Sequence, residues 1–193
     1  MLRFCAGDSG AFAALLQRYQ RPIHAFVARY LGPSQASLAE DLTQETFLRL
    51  VKNAKSYDPG SRFSTWLYTL ARNLCIDAHR RHQHRRAQSL DAPGGPDGDG
   101  APLVERTSDQ APGVDRRVMG RELQARMQRA IQALPDDQRE VFLLREFSDL
   151  QFKDIAVVIG ISENTVKSRM RYALEKLRAE LRDFEDLAHS PES

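Results

Sequence analysis

Asn164, Lys167, Ser168 and Arg171 stand three or four residues apart, so they share one face if their segment is helical. Side chains of these types hydrogen-bond base edges and phosphates. Arg72, Arg80, Arg81, Arg85 and Arg86 form a second group, which follows the aromatics Tyr57, Phe63, Trp66 and Tyr68. Cations beside flat rings suit a single strand, whose phosphates need charge and whose unstacked bases need stacking partners. For Trp66 and Leu67 core packing is the expected role, whereas Tyr57 fits either use. The residue types of both groups suit binding and not reaction. No nucleophile–base pair, phosphate-binding loop or paired carboxylates appear, so no catalytic residues and no enzymatic activity are expected. Cys75 and His79 share a helix face, but His82 and His84 complete no compact chelate with them. No metal and no cofactor are expected.

The first group needs a rigid carrier, and Leu150–Arg178 supplies one. Phe152, Ile155, Ala156 and Ile159 recur at helical spacing and predict a short helix. Gly160 permits a sharp turn, and Ser162 is a natural N-cap for a longer second helix. That helix should bury Val166, Met170, Leu174, Leu177 and Leu181. Two helices joined in this way form a helix-turn-helix, whose second helix can enter a major groove. Residues 162–178 hold five bases and two acids, which fits such a use. An amphipathic hairpin with a solvated basic face shares the pattern, and the rest of the chain must decide.

Charge is distributed unevenly. Residues 1–86 carry thirteen bases and six acids, residues 87–119 three and six, and residues 120–193 twelve and fourteen. A basic front, an acidic middle and a mixed back predict three functional pieces. Two isolated cysteines, Cys5 and Cys75, make no disulfide framework. No apolar run reaches transmembrane length, so no membrane insertion and a cytoplasmic setting are expected.

Taken in order, Asp8 or Ser9 caps a first helix through Tyr19, and Pro22 opens a second that Gly32-Pro33 ends. A third runs from Ser37, with Glu40 closing a capping box, to about Ala54 through Leu38, Leu42, Phe47, Leu50 and Val51. Its other face presents Asp41, Gln44, Glu45 and Leu48. Lys55–Arg62 reads as a loop and Phe63–His84 as a fourth helix. Gln88–Gly113 is rich in Gly, Pro, Asp and Ala, with one base and five acids, and is expected to be a flexible linker. Helices resume near Asp115 and at Asp136-Asp137, the latter with Val141, Phe142 and Leu144 as its apolar face. Fraying is expected in residues 185–193.

Three segments in this order resemble the bacterial extracytoplasmic-function (ECF) sigma factors. Ala39–Asn53 (AEDLTQETFLRLVKN) is similar to the family's core-polymerase-binding helix, and Phe63–Arg81 (FSTWLYTLARNLCIDAHRR) to its promoter-melting and −10-reading helix. Leu134–Arg178 resembles its −35-reading domain. The resemblance implies an all-α chain of two small helical domains. Residues 1–86 would bind polymerase and the −10 element, residues 87–114 would form the linker, residues 115–184 would read the −35 element, and 185–193 would be a tail.

By the same resemblance Asp41, Gln44, Glu45, Phe47 and Leu48 would contact core RNA polymerase. Tyr57, Asp58, Ser61 and Phe63 would line a pocket for a flipped −10 base, beside Arg72, Asn73, Asp77, Arg80 and Arg81 on the strand. Glu163, Asn164, Thr165, Lys167, Ser168 and Arg171 would face the −35 element. Asp149 stands where the family commonly has Gly, and Asn164 replaces a frequent Gly before Thr165-Val166. The implied partners are core RNA polymerase and promoter DNA, with an anti-sigma factor as a brake by analogy and no small-molecule substrate. A stand-alone helix-turn-helix regulator and a nucleic-acid enzyme with a helical tail are the competing classes.

Overall fold

The computed structural model describes residues 1–90 and 114–188, and these form helices and no strands. The helices are α1 (Leu2–Cys5), α2 (Ser9–Leu31), α3 (Ala36–Lys52), α4 (Phe63–Leu90), α5 (Val114–Ala133), α6 (Asp136–Phe147), α7 (Phe152–Ile159) and α8 (Glu163–Ala188). The central part of the expected linker, 91–113, and the last five residues of the expected tail lie outside the described residues. No helix among the described residues is long and apolar enough to cross a membrane.

The expected break at Pro22 is absent, because α2 runs unbroken from Ser9 to Leu31 with Pro22 inside it. Phe12, Leu16, Tyr19, Ile23, Phe26 and Tyr30 keep alternating steps of four and three across the proline, so one apolar stripe spans both sides. Burial of that stripe outweighs the one hydrogen bond that proline cannot donate. Asp8 caps α2 by accepting from the Ala11 amide at 3.1 Å. This bond, aided by Arg3, holds the Asp8 carboxyl below the usual carboxylate range. At α3 the expected Ser37–Glu40 capping box does not form: a 3-10 turn at Pro33–Gln35 leads straight into Ala36.

Helices α2, α3 and α4 pack on one another, and α5, α6 and α7 pack on α8 or on each other. The two halves also pack together, α6 on α2 and α7 on α4. Helix α6 is therefore covered on more sides than its sequence pattern indicates. Leu143 is buried with Val141, Phe142 and Leu144, and so are Arg139 and Glu140. Arg139 is satisfied by Asp136 at 2.7 Å and by the Gln132 carbonyl at 3.2 Å, which ties the α5–α6 turn.

In the helix-turn-helix, Gly160 ends α7 at φ 80°, and its amide donates back to the Ala156 carbonyl at 2.9 Å. An added Cβ there would meet nothing within 4 Å. Gly160→Ala should accordingly cost about 1–2 kcal/mol from backbone strain alone, and Gly160→Asn less, as read by denaturant midpoints. Ser162 caps α8 as expected, its Oγ accepting from the Thr165 amide at 3.1 Å. Val166, Met170 and Leu177 are buried, but the slot expected for Leu174 belongs to Ala173, and Leu174 is only half-buried. Helix α8 continues to Ala188, beyond the expected onset of fraying, and α4 continues to Leu90.

Asp149 has φ 55°, and no other non-glycine residue among those described has a positive φ. The backbone at this corner demands the left-handed region that glycine fills without cost. Asp is among the side chains that tolerate it, which explains the departure noted above.

Candidate polymerase and nucleic-acid interfaces

Three surfaces emerge. On α3, Asp41, Gln44, Glu45 and Leu48 lie at positions i, i+3, i+4 and i+7 and form one outward stripe. Leu48 is 53% exposed, and Glu45 accepts from Arg49 at 3.0 Å. Phe47 does not join them. It is buried, because it falls on the stripe of Leu42, Thr43, Thr46 and Leu50 that faces α2 and α4. Val51, expected in the core, is exposed one turn beyond Leu48 and lengthens the apolar patch. An exposed apolar strip flanked by carboxylates can seat a partner protein without burying an unpaired charge.

The second surface is the loop before α4 and the helix itself. Tyr57, Phe63 and Trp66 form a ring cluster, with Tyr57 centred 5.4 Å from Trp66 and 6.1 Å from Phe63. Tyr19 adds an edge contact to Phe63 at 5.2 Å. The Tyr57 hydroxyl donates to the Ser61 carbonyl at 2.8 Å, and burial chiefly raises its pKa. Asp58 accepts from the Gly60 amide at 2.9 Å, and Ser61 Oγ donates to the Asp58 carbonyl at 2.8 Å. The loop is thus held by its own bonds, and Tyr57 serves as a scaffold as well as a ring surface. Tyr68, grouped with these aromatics by sequence, is buried on another side of α4.

Helix α4 divides the expected −10 residues between two stripes. Asn73, Asp77, Arg80 and Arg81 are exposed along one of them. Arg81 Nε donates to the Asp77 carbonyl at 3.1 Å. Arg72 lies on another stripe with Tyr68, Cys75 and His79, which faces the C-terminal half. Its guanidinium reaches Glu140 of α6 twice, at 2.6 and 3.2 Å. Cys75 is buried there, and burial pushes its thiol pKa upward. Among the described residues no group of His, Cys, Asp and Glu could hold a metal ion.

The third surface is the start of α8. Glu163, Asn164, Thr165, Lys167, Ser168 and Arg171 are all exposed. Their side-chain partners lie nearby on the same helix or its cap. Lys167 pairs with Glu163 at 2.7 Å, Ser168 donates to the Asn164 carbonyl at 3.0 Å, and Arg171 lies 3.9 Å from Glu175. Exposed pairs of this kind contribute only about 0.3–0.5 kcal/mol and yield readily to another partner. Arg169 points inward and instead ties α8 to Asp137 of α6 at 3.1 Å.

Sequence reasoning missed the residues that join the halves: Arg62, Tyr68, Gln132, Glu140 and Asp154. Their partners are distant in the chain, and no local spacing marks them.

Comparison with known proteins agrees with this architecture. Sigma-70 region 2 matches residues 15–85, and Sigma-70 region 4 matches residues 124–177. The chain is 36% identical over 181 residues to the ECF RNA polymerase sigma factor SigW of Bacillus subtilis, covering 92% of each chain. It is 32% identical to the RNA polymerase sigma factor CarQ of Myxococcus xanthus, covering 96% of this chain and 97% of that one. Among solved structures, the sigma factor RpoE of Bartonella quintana, seen in complex with the anti-sigma factor NepR, superposes with a TM-score of 0.66. That match has 26% identity and covers 89% of this chain and 97% of the other. With both regions matched in order and full-length relatives above, the chain belongs to the ECF family of RNA polymerase sigma factors.

Proposed function

We propose that this sigma factor engages core RNA polymerase through Asp41, Gln44, Glu45 and Leu48 of α3 and reads promoters with its two helical halves. Residues 1–86 act on the −10 element and residues 115–184 on the −35 element. Asn164, Lys167, Ser168 and Arg171 enter the −35 major groove, with Glu163 and Thr165 beside them. Asn73, Arg80 and Arg81, with Asp77, follow the melted −10 strand. Tyr57, Asp58, Ser61 and Phe63 receive a base flipped out of it. The factor works in the cytoplasm and supplies no reaction of its own, since nucleotide addition belongs to the polymerase. A sequestering anti-sigma factor is the brake we expect, by analogy with the complex of the Bartonella relative.

One observation carries the −35 assignment: the outward residues of α8 hold only weak local partners, while the helix is anchored by Val166, Met170, Ala173 and Leu177. Two modest DNA contacts joined on one polymerase raise the effective concentration at the second once the first forms. The stand-alone regulator is disfavoured, because the full-length relatives named above are polymerase sigma factors.

Run-off transcription with purified core polymerase tests this, using a promoter found by transcript-start sequencing after overexpression. Arg171→Ala should cost about 1–3 kcal/mol at the cognate −35 site if Arg171 grips a guanine edge. A loss that is uniform across −35 variants would move the contact to phosphate. Unaltered promoter use would remove Arg171 from the interface.

A further inference from the structure

Helix α1 has no place in the core. None of its four residues is buried, Leu2 is 58% exposed, and a helix of a single turn has too few hydrogen bonds to persist alone. It is nevertheless tied down on more than one side. Phe4 packs on Phe12 of α2 with ring centroids 5.4 Å apart, and Arg3 pairs with Asp8 at 2.7 Å. The Cys5 thiol donates to the Ala54 carbonyl at 3.3 Å, on the 3-10 turn Ala54–Ser56 that leads into the loop of Tyr57. Between α1, α2 and that loop runs a groove of about 480 Å³. Its lining includes Leu2 and Arg3 from α1, Ala14 and Leu15 from α2, and the rings of Tyr57 and Phe63. Most of this lining is carbon, and Arg3 is its one charged side chain.

We infer that α1 is the far wall of the site that receives a base of the −10 strand, and that the base enters this groove with one flat face on Tyr57 and Phe63. The inference rests on the proposed base-receiving role of the loop and says where the base goes. Shape and charge both suit this occupant. An unstacked base needs flat apolar partners, and two rings over a floor of Ala14 and Leu15 supply them. Its phosphate needs a cation, and the Arg3 side chain stands at the rim 85% exposed. A surface pair such as Arg3–Asp8 yields to a phosphate at small cost. The polar groups of the loop are already engaged, the Tyr57 hydroxyl with the Ser61 carbonyl and Asp58 with the Gly60 amide. A base in the groove therefore meets carbon along its edges. It is held by its faces and by any methyl group it carries, not by a hydrogen-bond code. Burial of a 5-methyl group on a pyrimidine there tightens binding about fourfold.

Holoenzyme made with purified core polymerase tests the groove, by anisotropy with a fluorescent single strand that carries the −10 sequence. An abasic nucleotide moved along the strand finds the trapped base, as the position where the abasic change and Tyr57→Ala are no longer additive. Ala14→Phe fills the groove from an exposed position of α2 and should weaken the intact strand about tenfold, within the range of one stacked base. On the strand that is abasic at that position it should change nothing. With the unaltered protein, thymidine there should bind about fourfold tighter than deoxyuridine, and 5-methylcytidine tighter than cytidine; Ala14→Phe should erase both differences. Leu2→Ala removes an exposed side chain and should show the same pattern to a smaller extent. It carries the test if circular dichroism shows Ala14→Phe misfolded. If Tyr57→Ala couples to one base but the groove variants bind like the unaltered protein, or the methyl group has no effect, the groove is overturned and the base-receiving loop stands. If no position couples to Tyr57, the base-receiving reading itself fails and the inference with it. If the groove variants weaken association with core polymerase and leave strand affinity unchanged, the occupant is a polymerase segment and the inference is overturned.

Discussion

Replacing Asp41 and Glu45 together with Lys is expected to abolish association with core RNA polymerase while leaving the fold intact. Both residues lie on the outward stripe of α3, and neither is a buried group on which the core depends. Folding loses only the Glu45–Arg49 pair, which at an i,i+4 surface position contributes about 0.3–0.5 kcal/mol. Binding loses far more. The substitutions turn two negative charges beside Leu48 into two positive ones, and like-charge juxtaposition across an interface costs several kcal/mol. A loss of about 3 kcal/mol already weakens association more than a hundredfold. A pull-down on core polymerase reads the outcome, and circular dichroism reports the helices. Retained binding with unchanged helicity would show that the stripe is only solvated. Leu48→Ala and Val51→Ala sharpen the result: if the patch runs along the helix as the exposures indicate, both weaken binding without lowering stability.

The second large effect concerns strand opening. Tyr57→Ala with Asp58→Ala should cut transcription from duplex templates at least about tenfold, because unstacking and unpairing a base costs a few kcal/mol unless a pocket receives it. A template already mismatched across the −10 region should restore most of the activity, since the cost has been removed beforehand. The geometry adds a control. Tyr57 braces Trp66 and Phe63 and bonds to Ser61, and Asp58 closes the turn onto Gly60. Tyr57→Phe keeps the rings and loses only the hydroxyl bond, so it should be milder on both templates. Equal loss on duplex and mismatched templates would mean that the loop supports folding or polymerase binding and traps no base.

What the sequence disclosed and what it hid divide along one physical line. Features with a local cause were legible: the Gly160 turn, the Ser162 cap, the burial of Val166, Met170 and Leu177 on α8, and the outward face of α3 all follow from spacing within a turn or two. Pro22 is a local breaker, but the longer apolar stripe of α2 continues across it. The resemblance puts Phe47 on the polymerase face, whereas its register with Thr43 and Leu50 places it inside. Leu143 and Glu140 of α6 were not expected to be buried, because their partners arrive from α2 and α4, and Arg72 precedes Glu140 by 68 residues. Those contacts leave no periodic trace, since each depends on a meeting of halves that folding alone arranges.

The division of α4 into two stripes bears on how such a factor can change its target. Among the described residues the side-chain partners of Glu163, Thr165, Lys167, Ser168 and Arg171 lie on α8 or its cap, so under the proposed −35 role a new preference can be grafted there alone. One stripe of α4 has no such freedom. Its Tyr68, Arg72 and His79 side is matched to α6, and an exchange of this helix between relatives would bring a foreign surface to Glu140, Phe147 and Asp136. Specificity for the −35 element can therefore drift residue by residue. The exposed stripe of Asn73, Asp77, Arg80 and Arg81 can likewise change singly, but the whole helix cannot be exchanged alone, and chimeras should be cut so that α4, α6 and α7 travel together.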